Sequence, residues 1–138
     1  MKTVLFVCIE NACRSQMAEG IANYFGQGVL KAYSAGSQSL GKVNSNAIEV
    51  MKEIGIDISK AESKSFNSLP TKKFDYVVTL GCKDICPFVP AQSHIDWQIV
   101  DPKNKSIEFF REVRDDIKKE VISLIKELSI QKKQEGEA

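Results

Sequence analysis

Two clusters of residues have the types and spacing for sulfur chemistry on an anion. The first is Cys8-Ile9-Glu10-Asn11-Ala12-Cys13-Arg14-Ser15. A cysteine thiolate is a nucleophile, and a turn that opens a helix stabilises it. Arg14 can clamp a tetrahedral oxyanion through two parallel hydrogen bonds. Ser15 can give its hydroxyl hydrogen to the thiolate, and Asn11 tolerates the left-handed backbone of a tight loop. The competing view is that Cys8 is simply the last buried residue of a strand and Arg14 a surface charge. Glu10 is out of character: it sets a carboxylate in a segment meant for an anion, so the oxyanion reading requires it to point outward. The second cluster is Gly81-Cys82-Lys83-Asp84-Ile85-Cys86-Pro87. Two thiols on a polar turn suit disulfide exchange. Zinc would need four ligands, drawing on His94 and on Cys8 or Cys13 from another turn; a buried structural pair is the other alternative. Asp101, before Pro102, adds a carboxyl that can protonate a leaving oxygen. Asp96 competes for that role, and Asp-Pro also suits a plain turn into a helix.

The elements that position these residues can be read from apolar patterning. Residues 2–8 form a continuous apolar strand, as expected for a parallel strand covered on both faces. Met17, Ala18, Ile21, Ala22 and Phe25 trace a helix that stops near Gly26 and Gly28. A second strand spans 29–34. A second helix follows, capped by Asn44 or Ser45 and ended by Gly55. A third strand spans 74–80 and a fourth 95–100. A long helix runs from about Ser106 to Leu128, followed by a polar, frayed tail. Alternating strands and helices predict an α/β fold, a four-stranded parallel sheet flanked by helices in three layers. In such sheets ligands sit beyond the carboxyl ends of the strands. Residues 8–14, 81–90 and 100–104 all fall there.

The chain has 138 residues, enough for one domain over 1–130 with residues 131–138 as the tail. Lys and Arg number 19 against 18 Asp and Glu, so nothing in the charge favours nucleic acid or an acidic membrane. The first apolar run is too short for a signal peptide and no stretch reaches transmembrane length, which implies a cytoplasmic protein. In that compartment the four cysteines would be kept reduced, and those that matter tend to be catalytic, redox-active or metal-binding.

"CIENACRSQMAEG", with the later "YSAG", resembles the phosphate-binding loop and helix of the low-molecular-weight tyrosine phosphatase superfamily. Ser15-Gln16-Met17-Ala18 is similar to its thioredoxin-coupled arsenate reductase branch, whereas phosphatases of this fold carry proline where Gln16 stands. "VTLGC" and the second cysteine before Pro87 are similar to one variant of that branch. The resemblance extends from Thr3 to about Leu128.

The resemblance implies a phosphatase-like fold and reduction of arsenate to arsenite, with phosphate or sulfate as mimics. Cys8 would attack arsenate, Cys82 would attack Cys8 and release arsenite, and Cys86 would carry the disulfide outward. Thioredoxin would reduce it, with no bound cofactor. Asp101 would be the acid, and the protein would act as a monomer. Cys13 is not required, and His94 and Trp97 would serve packing or the loop rim. Some members hold potassium at positions resembling Asn11, Glu19 and Ser34. Lys64 stands here where an acidic residue would complete that site, so no metal is expected, with the lysine ammonium beside Glu19 instead. Two further functions remain open: a tyrosine phosphatase using Cys8, Arg14 and Asp101, and a non-catalytic arsenite or redox sensor.

Overall fold

A computed structural model describes residues 1–39, 41–81 and 89–137, the last four of these by backbone alone. In chain order the elements are β1 (Lys2–Cys8), α1 (Arg14–Phe25), β2 (Leu30–Gly36), α2 (Ser45–Lys52), a 3-10 turn (Phe66–Ser68), β3 (Phe74–Thr79), β4 (Ala91–Asp96) and α3 (Ile107–Glu137). The four strands form one sheet in the order β2-β1-β3-β4, and every pairing is parallel. This is the four-stranded parallel α/β sheet that the alternation of elements predicts. Chain order reverses between β1 and β3, so their carboxyl ends border the crevice where ligands bind in open α/β sheets.

β1 is central and its side chains alternate between the two faces. Val4, Phe6 and Cys8 join a core built with α1, α2 and α3, while Leu5 and Val7 join a smaller cluster with Ala35, Phe74 and Val77. All three α-helices therefore contribute to the first face. Phe66 of the 3-10 turn, with Leu69 and Val89, packs on the second. α3 buries Phe110, Val113, Ile117, Val121, Leu124 and Leu128 along one stripe. Fully burying each such side chain stabilises by about 1.5–3 kcal/mol. Ser106 caps this helix, its hydroxyl oxygen accepting from the Phe109 N–H at 3.2 Å. Asn44, one of the two candidates, caps α2 by accepting from the Asn46 N–H at 2.8 Å.

Two boundaries differ from the sequence expectation. The fourth strand spans Ala91–Asp96 rather than 95–100. Inward and outward positions do alternate through Val100, but β3 ends at Thr79, and the ladder ends with it at Asp96. The apolar Trp97 and Ile99 that suggested a strand instead pack as loop residues, Trp97 with its ring 5.8 Å from that of Phe6. Asp96 thus closes β4, and Asp101 lies on the loop beyond it. The last helix also continues through Glu137, so the backbone of the expected polar tail is helical up to that residue.

Candidate active site

The turn between β1 and α1 is held from outside. The Ile9 carbonyl accepts from the Gln38 N–H at 2.7 Å, Ala12 from Asn44 at 2.9 Å and Cys13 from Met17 at 3.0 Å. The Glu10 carbonyl accepts from the Ser63 hydroxyl at 2.7 Å, and that of Asn11 from Gln16 Nε2 at 3.3 Å. In a trans peptide the N–H points opposite its carbonyl. Five successive carbonyls drawn outward, three to other segments and two to α1, therefore turn the amides of residues 10–14 toward the interior of the loop. α1 adds its positive end there. Among the described residues no side chain caps it, and no acidic residue occupies its first turn. Asn11 takes the left-handed conformation, φ 52°. Gly36 pairs with Cys8 across the sheet, and a Cβ on it would lie 2.6 Å from the Ile9 carbonyl oxygen and 2.7 Å from the Asn11 nitrogen. Only glycine leaves room for the loop to cross that strand end.

Inside the loop, the hydrogen-bond network sets direction. The Lys64 backbone N–H can only donate, and it meets Asn11 Oδ1 at 2.6 Å. Asn11 Nδ2 therefore faces Ser15 Oγ, 2.7 Å away, and donates to it. The Ser15 hydroxyl hydrogen is then available to Cys8 Sγ, 2.8 Å distant. That bond fixes the direction in which the Cys8 sulfur points within the loop. Cys8, Asn11 and Ser15 are all buried. Gln16 takes part as well: Nε2 lies 2.9 Å from Asn11 Oδ1 and 2.9 Å from the Glu62 carbonyl, tying the 62–64 segment to the loop. A proline at this position could make neither bond.

Arg14 is buried, and its Nη1 donates to the carbonyls of Leu80 and, at 3.1 Å, Ile99. Its Nη2 lies 3.6 Å from Asp101 Oδ2. The loops after β1, β3 and β4 thus meet at one guanidinium. Gly81, φ 92°, borders it: a Cβ there would stand 2.9 Å from Arg14 Nη1. Cys8, Ile9, Glu10, Ala12, Cys13, Arg14 and Asp101 line a cavity of about 50 Å³. That is the scale of a small oxyanion. Cys13 lies within this wall, and burial, followed by the negative charges of Asp101, Cys8 and Glu10, pushes its pKa up to about 12. Glu10 turns to the rim, where its Oε1 lies 2.5 Å from Lys103 Nζ.

A family model described as low molecular weight phosphotyrosine protein phosphatase matches residues 3–135. The chain belongs to that family. Two curated relatives are reductases by name. A glutaredoxin arsenate reductase of Synechocystis is 42% identical over 132 residues, covering 94% of this chain and 100% of the relative. An arsenate reductase of Staphylococcus aureus strain Newman is 44% identical over 121 residues, covering 85% and 91%. Among solved structures, an arsenate reductase in the phosphate-binding state superposes with TM-score 0.83 at 40% identity, over 93% of this chain and 99% of the other. A Corynebacterium glutamicum thioredoxin-dependent arsenate reductase does so at 0.78 and 29%, over 95% and 63%.

The fold brings Cys8 through Ser15 together with Asp101. Cys82 and Cys86 lie outside the described residues. Asp96 accepts from Thr79 Oγ1 at 2.7 Å and does not line the cavity. His94 Nε2 contacts the Val89 carbonyl oxygen at 2.7 Å, and Trp97 packs on Phe6. Lys64 Nζ lies 3.5 Å from Glu19 Oε2, to which Ser34 also donates at 2.8 Å. An ammonium thus sits beside Glu19, as expected from Lys64 standing where the family pattern has an acidic residue. Gln16, Gly36, Gly81 and Lys103 were missed as site residues. Gly36, last in the strand that pairs with β1, was the one signal available.

Proposed function

We infer that this chain is an arsenate reductase. The observation that carries the reading is the buried Cys8 sulfur, oriented by Ser15 inside a ring of inward amides closed by Arg14. The Cys8 thiolate attacks arsenic(V), and Asp101 protonates the oxygen that leaves as water. A Cys8–arsenic(V) bond results. Cys82 then attacks the Cys8 sulfur. The arsenic–sulfur bond breaks, its electron pair departs with arsenic, and arsenite is released as a Cys8–Cys82 disulfide forms. Cys86 attacks Cys82, frees the Cys8 thiolate and leaves a Cys82–Cys86 disulfide. An external dithiol protein returns both sulfurs to thiols, and no bound cofactor is used. A reducing cytoplasm is the compartment that suits this cycle.

The pair Cys82 and Cys86 supports reduction over the phosphatase reading, because phosphate-ester hydrolysis has no use for them. The same cradle accepts phosphate, so weak phosphatase activity accompanies the main reaction. We take thioredoxin as the reductant, since a disulfide between two cysteines so close in a polar stretch of sequence suits attack and resolution by a dithiol. The name of the Synechocystis relative makes glutaredoxin the competitor.

Arsenate-dependent NADPH oxidation, run with thioredoxin and its reductase and separately with glutaredoxin and glutathione, tests both points. Cys8→Ser should be inactive in every assay. Cys82→Ser should stall before arsenite release yet keep the weak phosphatase activity. Cys86→Ser should turn over about once and trap a Cys8–Cys82 disulfide, by the exchange order. A Cys8–Cys13 bond in the mass spectrum of that variant would refute the relay, and cycling of Cys86→Ser with glutaredoxin and glutathione would refute the reductant.

A further inference from the structure

The mouth of the oxyanion cavity has a charge problem. Among the described residues, two acidic ones line it, Glu10 and Asp101, against one arginine, Arg14. A nucleophilic thiolate adds further negative charge, and the substrate is itself an anion. Lys103 stands at this rim. Its Nζ lies 2.5 Å from Glu10 Oε1, and its backbone N–H donates to Asp101 Oδ1 at 3.0 Å. Its ammonium side chain is partly exposed, and Glu10 is the more covered partner. One residue therefore contacts both carboxylates from the loop that follows β4, 93 positions away in sequence from Glu10.

We propose that Lys103 is a positioning residue whose ammonium cancels the Glu10 carboxylate, so that the cradle accepts a multiply charged oxyanion despite an acidic residue within it. The proposal rests on the arsenate reductase reading for its substrate, but not for its physics. Glu10 held against Lys103 is turned to the rim. Without the ammonium, the carboxylate is left uncompensated at the mouth, where it repels the incoming anion through space. Its retention in the loop is then tolerable only together with Lys103, and the two residues act as a unit.

The test is a double-mutant cycle read by inorganic phosphate binding in calorimetry and by arsenate KM and kcat. Lys103→Met should weaken phosphate binding and raise KM by about fivefold at low salt, with kcat little changed, and the defect should shrink in high salt as screening takes over. Glu10→Gln in the Lys103→Met background should restore phosphate affinity, and Lys103→Arg alone should keep it. If the double variant binds as weakly as Lys103→Met, Lys103 is a mere tie or a direct ligand and the proposal fails. It fails also if Lys103→Met binds phosphate like the parent. A protein that binds phosphate with this cycle intact but reduces no arsenate with either dithiol system would overturn the functional reading alone.

Discussion

Cys8 and Cys13 share one loop and differ in what surrounds the sulfur. Cys8 meets the Ser15 hydroxyl, polarised in turn by Asn11, whereas Cys13 faces burial and three negative neighbours that keep it a thiol. Ser15→Ala should therefore lower kcat/KM roughly tenfold to a hundredfold, the worth of a hydrogen bond to a charged group. Steady-state kinetics would check it, and an unchanged rate would remove Ser15 from the site. At pH 8 iodoacetamide should label Cys8 well before Cys13, as peptide mapping would report. The Cys13 shift also has a stability consequence. Its folded pKa is raised to about 12 from an ordinary 9.0, so its contribution is whole below about 9 and is lost as pH rises toward 12. Cys13→Ala should accordingly flatten the alkaline limb of a melting-temperature profile between those values; an identical limb in both proteins would contradict the assignment. The Cys8–Arg14 spacing was legible in the sequence because it lies within one loop. The role of Lys103 was not, because nothing local links it to Glu10.

At the scale of elements, the site is made where three strand ends converge on Arg14. Its guanidinium is tied to the Leu80 and Ile99 carbonyls and lies close to Asp101, so a change in the β3 exit is felt at the oxyanion loop. Gly81→Ala places a methyl within 2.9 Å of Arg14 Nη1 at a backbone φ of 92°. The left-handed conformation alone should cost about 1–2 kcal/mol of stability, and the displaced guanidinium should weaken phosphate binding at least severalfold. Thermal unfolding and calorimetry measure the two separately. Loss of stability with phosphate affinity untouched would mean that Arg14 accommodates the methyl. The exit of β4 carries a related lesson. Apolar residues at 97 and 99 looked like a strand because loop residues that plug a core are as apolar as strand residues, and only the end of the partner strand at Thr79 shows where pairing stops.

For the whole molecule, stability and chemistry draw on one continuous core, which Cys8, Ala12 and Cys13 of the loop share with α3. Phe110 is 1% exposed in the core that α3 closes over the sheet. Phe110→Ala should cost about 3–5 kcal/mol, a typical loss for a buried aromatic. Below its lowered melting temperature it should still bind phosphate, because the loop is held by its own carbonyl partners; denaturant unfolding beside calorimetry would show this, and parallel loss of binding would couple core and cradle. Much of this architecture was readable from the chain alone. Continuous apolar runs announce buried parallel strands, helical spacing announces α3, and a cysteine, asparagine, arginine and serine at a βα turn announce an anion site, since each signal is carried by neighbours in sequence. The rest depends on residues that meet only through folding. Gln38, Asn44 and Ser63 turn the loop carbonyls outward, Lys64 fixes the direction of the Asn11 amide, and Lys103 reaches Glu10. Tertiary structure alone decides those contacts, because a hydrogen bond or an ion pair depends on distance in space and leaves no periodicity in the sequence.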